Sequence, residues 1–312
     1  MAFFPHIITY IALGVFAIAC IARVLMWMRM PMHLRWELYP VAHEPGNKAK
    51  YGGSYLEESD WWKKPREVSM AGELKVMVPE ILFLVALWEH NRKMWVRSFP
   101  FHFGIYMVIG ATVMMMGSAL LGLAVPDLMA GGLGTFLHNT VLFCGAGGLG
   151  LSIFGALGLL QRRLTDPGLR DFTTVADIFN LVFFIVAFGL ALVHFIAIDS
   201  DLSRSAGFLA GIVTFSPVAL TGSVHEVSFT SATIILMGVL VAYIPLTHMS
   251  HFIGKYFAYH AIRWNDKPNL KGGDEEAAIG EMLTQPVSWA AKHIGADGKK
   301  TWADLATQEY KK

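Results

Sequence analysis

Cysteine is nearly missing from this 312-residue chain, which has two, Cys20 and Cys144. They lie far apart in apolar stretches, so no CxxC pair exists to hold an iron–sulfur cluster and no CxxCH motif to attach a haem covalently. An iron–sulfur centre serving this chain therefore has to sit on another polypeptide. Charge is scarce too, at 16% of residues against 54% hydrophobic and a mean hydropathy of +0.46. An ordinary soluble domain carries about a quarter charged residues, so a water-facing globule is excluded and a polytopic membrane protein is indicated. No glycine-rich loop follows a strand pattern, which removes nucleotide binding of the Rossmann or P-loop kind.

Long apolar runs fill the place of what is missing. Five windows, 4–26, 101–125, 136–160, 176–198 and 227–251, have the roughly 20 residues that a hydrocarbon core of about 30 Å requires. The first runs on into "RVLMWMRM" with no basic residue before it, and reads as a retained helix rather than a cleaved leader. "AGFLAGIVTFSPVALTG" at 206–222 is shorter, contains Pro217, and reads as a membrane-surface or re-entrant piece. "MVPEILFLVALWEHNRKMWVR" at 77–97 reads as an amphipathic helix in the interface. The expected fold is all-α, an integral bundle of five transmembrane helices. Residues 1–262, with the loop 30–100, form the membrane domain, and 263–312 form a polar tail.

Basic residues set the orientation. Of 25 lysines and arginines, 24 fall on one side of that topology, against Arg204 alone on the other. The positive-inside rule places the N-terminus outside and the tail in the cytoplasm, in the inner membrane of a prokaryote. The glycine-rich "GAGGLGLSIFGALG" at 145–158 lies within a span, where small residues permit close helix approach.

Twelve histidines are present, and ionisable groups in spans are functional candidates by default. His102 falls at the inner end of the second span, and His248 and His251 at the inner end of the fifth. His138 and His194 lie near the outer ends of the third and fourth, and His225 just outside the fifth. At 1.5 Å per residue, His194 stands about 27 Å from the inner start of its helix, so two layers of imidazole emerge. Neutral imidazoles facing each other across a bundle suit the axial positions of six-coordinate b-type haems, one near each face. His6, His33, His43, His90, His260 and His293 read as interfacial, loop or helix-edge histidines.

"FHFGIYMVIG" (101–110) and "YIPLTHMSHFIGKYF" (243–257) resemble the second and fifth helices of the nitrate reductase gamma-subunit family of membrane cytochromes b. "HLRWELYP…YGGSYLEE…DWWKKPRE" and "QRRLTDPGLRDFTT" are most similar to its heterodisulfide-reductase and sulfate-reducer branches. The resemblance implies that His102 and His251, six residues after Pro245, hold the inner haem b. Two further family positions, ligands of an outer haem, are Thr112 and Thr233 here and cannot bind iron. Either that haem is lost or other residues hold it, with His138 and His194 the expected pair and His225 the substitute. His248 is left as an alternative ligand, a hydrogen-bond donor to a propionate or quinone, or a residue without chemical work. Arg92, Lys93, Arg97 and Lys255 pair with propionates or anchor at lipid headgroups.

The expected function is electron passage between a quinone, menaquinone or another, and a cytoplasmic iron–sulfur subunit of the heterodisulfide-reductase type. An outer cytochrome c is a possible further partner; nucleic acid is not an expected one. His225 with Glu226, or Asp177 with Asn180, are rival quinone contacts, against plain helix capping. The competing class is a non-redox membrane anchor or assembly subunit. A transporter is disfavoured, since inverted repeats and buried charges are lacking.

Overall fold

A computed structural model describes residues 3–30, 41–46, 54–170, 172–288, 290–291 and 294–309. His33, His293 and all of "HLRWELYP" lie outside the described residues. The helices in chain order are α1 Phe4–Met28, α2 Met70–Phe83, α3 Val85–His90, α4 Arg92–Ala124, α5 Pro126–Met129, α6 Gly132–Thr165, α7 Pro167–Arg170, α8 Val175–Ala197, α9 Ser203–Val213, α10 Val224–Tyr243, α11 His251–Phe257, α12 Asp274–Leu283 and α13 Trp302–Thr307. Of these, α1, α4, α6, α8 and α10 are long and apolar enough to cross a membrane. Phe143, Leu123 and Ile18, each about 70% exposed, are side chains that water would penalise and lipid would not.

Contacts divide the chain into two compact units. The first holds residues 1–19 and 79–248, and the second holds 20–78 and 249–312. In the first, α4 and α6 approach closely because glycines meet at the crossing. A Cβ on Gly148 would lie 2.8 Å from the Gly104 carbonyl oxygen, and one on Gly155 would lie 2.7 Å from the Phe101 Cα. Ser152 and Ala156 are wholly buried there. This is the small-residue packing that brings helices together where lipid removes any hydrophobic drive, as expected of the 145–158 stretch. Phe184 of α8 closes the layer edge-on against Phe101 at 5.1 Å. Helix α9 packs on α4, and the first turns of α1 pack on α9 through the Tyr10 hydroxyl, which donates to the Ile212 carbonyl at 3.0 Å.

Two expected elements differ from the observed ones. The stretch 77–97 is not one interfacial helix. Leu84 takes a left-handed φ of 52° and Asn91 a φ of −151°, so α2 and α3 end there. The basic residues Arg92, Lys93 and Arg97 then form the first turns of α4, capped by the Asn91 side chain on the Met94 amide. The fifth span ends at Leu246 rather than 251, and its α-helical part, α10, ends at Tyr243. Pro245 lacks the N–H that an α-helix needs and restricts the residue before it, so 244–246 and 248–250 are short 3₁₀ turns, and α11 begins at His251. His248 therefore lies in a 3₁₀ turn and His251 opens a separate α-helix, so the two do not share an α-helical face. Helix α9, 11 residues long, extends only about 16 Å and is too short to cross, in keeping with a surface or re-entrant piece.

The second unit has a small core of Val41, Tyr259 and Trp264, flanked by Ala42 and Met77. Asp266, buried to 4% exposure, gathers His43 Nε2 at 2.7 Å, the Tyr55 hydroxyl and Arg66 at 2.6 Å. The Arg66 contact to Oδ1 is an ion pair by distance, outside hydrogen-bond alignment. Burial alone would raise the Asp266 pKa, but the His43 and Tyr55 hydrogen bonds and the charges of His43 and Arg66 hold it below the ordinary value. The same contact and burial push the Tyr55 phenol well above its usual range. Glu73 lies between His43 at 3.4 Å and His260 at 3.5 Å. In the tail, the two-residue strands β1 Ala290–Ala291 and β2 Ala296–Asp297 pair antiparallel, ahead of a Thr301–Asp304 capping box that starts α13.

Candidate functional site

His102 stands on α4, three turns from its start. Its Nδ1 is 2.8 Å from the Ser98 carbonyl oxygen and 3.3 Å from the Ser98 hydroxyl. A carbonyl only accepts, so Nδ1 carries the proton and Nε2 carries the lone pair. A pinned ring in that tautomer is the arrangement a histidine uses to ligate a metal. His251 is the first residue of α11 and is exposed. His102 belongs to the first unit and His251 to the second, and each is placed within its own unit.

His248 receives a partner that spacing does not suggest. The Tyr243 hydroxyl donates to Asn180 Oδ1 at 2.7 Å, and Asn180 Nδ2 in turn donates to His248 Nε2 at 3.3 Å. Asp177 stands 3.8 Å from the same His248 nitrogen and 3.7 Å from Arg163. Asn180 is buried on α8, so this chain of polar groups runs from the helix interior to the exposed His248. Asp177 also closes a capping box with Thr174 at the start of α8, so its capping role stands alongside this chain.

The outer-layer candidates separate. His194 is 5% exposed, its Nε2 lies 2.9 Å from the Thr230 hydroxyl, and its ring stacks on Phe229. It lines a cavity of about 320 Å³ bordered by residues of α1, α4, α6, α8 and α10 and by α9 with the residue before it. His138 lines a different cavity, with Met115, Leu202 and Ala206. The structure thus does not bring His138 and His194 into one chamber. His225 is exposed in the first turn of α10. Its neighbour Glu226 forms a capping box with Ser223 and pairs with Arg204 at 3.5 Å, so capping accounts for it.

Thr112 and Thr233 both line the 320 Å³ cavity that holds His194. Each hydroxyl donates back to its own helix, to the Val108 and Phe229 carbonyls at 2.9 Å, so its proton is committed and only its oxygen lone pairs remain to accept. A residue set aside on sequence grounds is buried against α9, its ring 4.4 Å from that of Phe208. His6 is 1% exposed, and neither ring nitrogen has a hydrogen-bond partner among the described residues. Its position near the N-terminus hid it, because burial there depends on α9 folding over it. Among the described residues no group of three or more His, Cys, Asp or Glu side chains is placed to hold a bare metal ion. A porphyrin iron needs only two axial donors from protein.

The sequence model of the nitrate reductase gamma subunit matches residues 86–265, more than half of the chain, from α3 past α11. The chain belongs to the nitrate reductase gamma-subunit family. That family consists of haem b-containing membrane subunits that exchange electrons with quinone and associate with catalytic and iron–sulfur subunits. The matched region of this family member includes His102, His194, His248 and His251, and excludes His6 and the Asp266 cluster. No individually curated protein matches the chain significantly.

Proposed function

We propose that this family member is the haem b-carrying subunit of a respiratory complex in a prokaryotic cytoplasmic membrane. It passes electrons between the quinone pool and an iron–sulfur subunit of the heterodisulfide-reductase type. The observation that carries the reading is His102, a membrane-helix imidazole held by the Ser98 carbonyl with Nε2 in the ligating tautomer, inside the matched region. His102 and His251 are the proposed inner ligands. Bound haem b supplies one-electron storage, which lets a two-electron quinol be emptied in single steps. The residues of this chain position it, exclude water from its faces and handle protons.

His251 is kept over His248 as the inner ligand because it stands six residues after Pro245, the spacing that the family resemblance gives to the ligand. The N-terminus is proposed to lie outside, so that the basic α6–α8 connection and the tail face the cytoplasmic partner. Of the two rival quinone contacts, the Asp177–Asn180 side is favoured, because Asn180 links Tyr243 and His248 in a hydrogen-bonded line to the surface. Menaquinone is the proposed quinone.

A reduced-minus-oxidised spectrum of the purified protein tests the reading. A b-type absorbance band is expected. Its absence would favour the alternative, a non-redox anchor that tethers a redox partner.

A further inference from the structure

We infer that the 320 Å³ chamber lined by His194 binds a quinol ring directly, in the place of an outer haem. The inference rests on the reading of the chain as a quinone-linked haem b subunit, and it gives His194 a hydrogen-bonding role instead of an iron-ligating one. The site is separate from the Asp177–Asn180 contact, since neither of those residues lines the chamber.

His194 is the single imidazole of the lining and is 5% exposed. Its Nε2 lies 2.9 Å from the Thr230 hydroxyl, which is itself buried and has no other acceptor among the described residues. That O–H therefore donates, Nε2 supplies the lone pair, and Nδ1 carries the proton. Nδ1 has no hydrogen-bond partner among the described residues. Neither nitrogen is left with a lone pair for iron. A buried N–H without an acceptor is unfavourable until a ligand supplies one.

The rest of the lining narrows that ligand. Among the described residues around the chamber there is no lysine, arginine, aspartate or glutamate. The carboxylates of a haem or of a fatty acid would meet no cation there, whereas a neutral ring is accepted. A volume of about 320 Å³ lies at the small end of the roughly 300–1,000 Å³ of ligand pockets, and Met115, Met116 and Met237 give pliable apolar contact.

The hydroxyls of the lining decide the oxidation state. Thr9 donates to the Pro5 carbonyl, Thr112 to Val108, Thr233 to Phe229 and Ser205 to Asp199. Their protons are committed and their oxygen lone pairs remain to accept. The wall thus offers one donor and several acceptors. A quinone has only acceptor oxygens and would use His194 alone. A quinol also has two O–H groups to donate to threonine oxygens, while one of its own oxygens accepts from His194 Nδ1. The reduced form is the better match.

Equilibrium dialysis of the intact complex tests this, with menadiol under dithionite and menadione without it. All samples carry Asn180→Leu, so that the other quinone contact is removed. Menadiol is expected to bind more tightly than menadione. Thr233→Val removes an acceptor at nearly constant volume. It should weaken menadiol about fivefold, the worth of one net hydrogen bond, and leave menadione unchanged; a merely structural threonine would shift both or neither. His194→Leu should weaken both. His194→Asn keeps an N–H close to the Nδ1 position but cannot replace imidazole on iron, so it should retain both. Haem b per chain, by the pyridine haemochrome method, should be one throughout.

A complex without haem b overturns the reading of the chain as a haem subunit, whatever the dialysis shows. Two haems overturn the quinol site, and a fall to one in His194→Asn would make His194 the iron ligand. Menadiol binding that is absent, or equal in the parent, His194→Leu and Thr233→Val, also overturns it.

Discussion

Gly104→Ala is the sharpest test of how the membrane bundle is held together. The added Cβ would lie 2.5 Å from the Ser152 backbone nitrogen and 2.6 Å from the Gly148 carbonyl oxygen. Carbon contacts settle near about 3.5 Å, so α4 and α6 would have to part by about 1 Å. The Ser152 hydroxyl can rotate away, but backbone atoms cannot. Overpacking of this kind costs about 1–3 kcal/mol, and two backbone clashes put this site at the upper end. At about 2–4 °C per kcal/mol for a chain of this order, the apparent unfolding midpoint in detergent should fall by roughly 6 °C or more. Circular dichroism at the helix band reads it. Gly110→Ala, on the same helix with nothing within 4 Å of its Cβ, is the control and should leave the midpoint unchanged or raise it slightly, as alanine favours a helix over glycine. Two variants with equal midpoints would refute the close-packing account of α4 and α6. His102 lies half a turn from Gly104, so Gly104→Ala should also broaden or shift the haem absorbance band, and Gly110→Ala should not.

Other outcomes follow from the same packing. His251→Ala is expected to remove one haem, whereas His248→Ala keeps the haem count; the reverse result would exchange their roles. Asn180→Leu removes the bonds to Tyr243 and His248. Membrane hydrogen bonds average about 0.6 kcal/mol, so a destabilisation of roughly 1 kcal/mol should appear in the same unfolding assay. Asp266→Asn breaks a buried ion cluster, a change worth about 3 kcal/mol or more. It should expose the 54–67 segment to limited proteolysis while leaving α4–α10 resistant. Acid acts on the same cluster. The folded Asp266 pKa lies below the ordinary 3.8, so its contribution is complete above about pH 4 and is lost as pH falls through the lower folded value. Trp264 fluorescence should report that loss only at acid pH.

Much of this molecule is written in local pattern. Five apolar runs become five long helices because a chain in lipid must satisfy its own backbone. Pro245 guarantees a break, and the glycines from 145 to 158 mark a close crossing. Where the break falls was less legible, since a hydropathy window continues through Pro245 while the hydrogen-bond ladder does not. The start of α4 was hidden for the opposite reason: charge suggested an interfacial helix, but charged first turns can simply extend a span beyond the lipid.

Apolar length determined the number of spans, composition the absence of cluster cysteines, and position along an apolar run His102 as a candidate; all are read from neighbours along the chain. Partnerships between distant segments were decided only by the tertiary structure. Asp266 meets His43 across 223 residues, and Asn180 meets His248 across 68. His138 and His194, matched in depth, line separate cavities because depth along a helix says nothing about the direction a side chain faces. His6 becomes a buried, unsatisfied imidazole only once Gly211 of α9 lies over it. Burial is a property of packing, and no window of sequence around residue 6 contains the helix that supplies it.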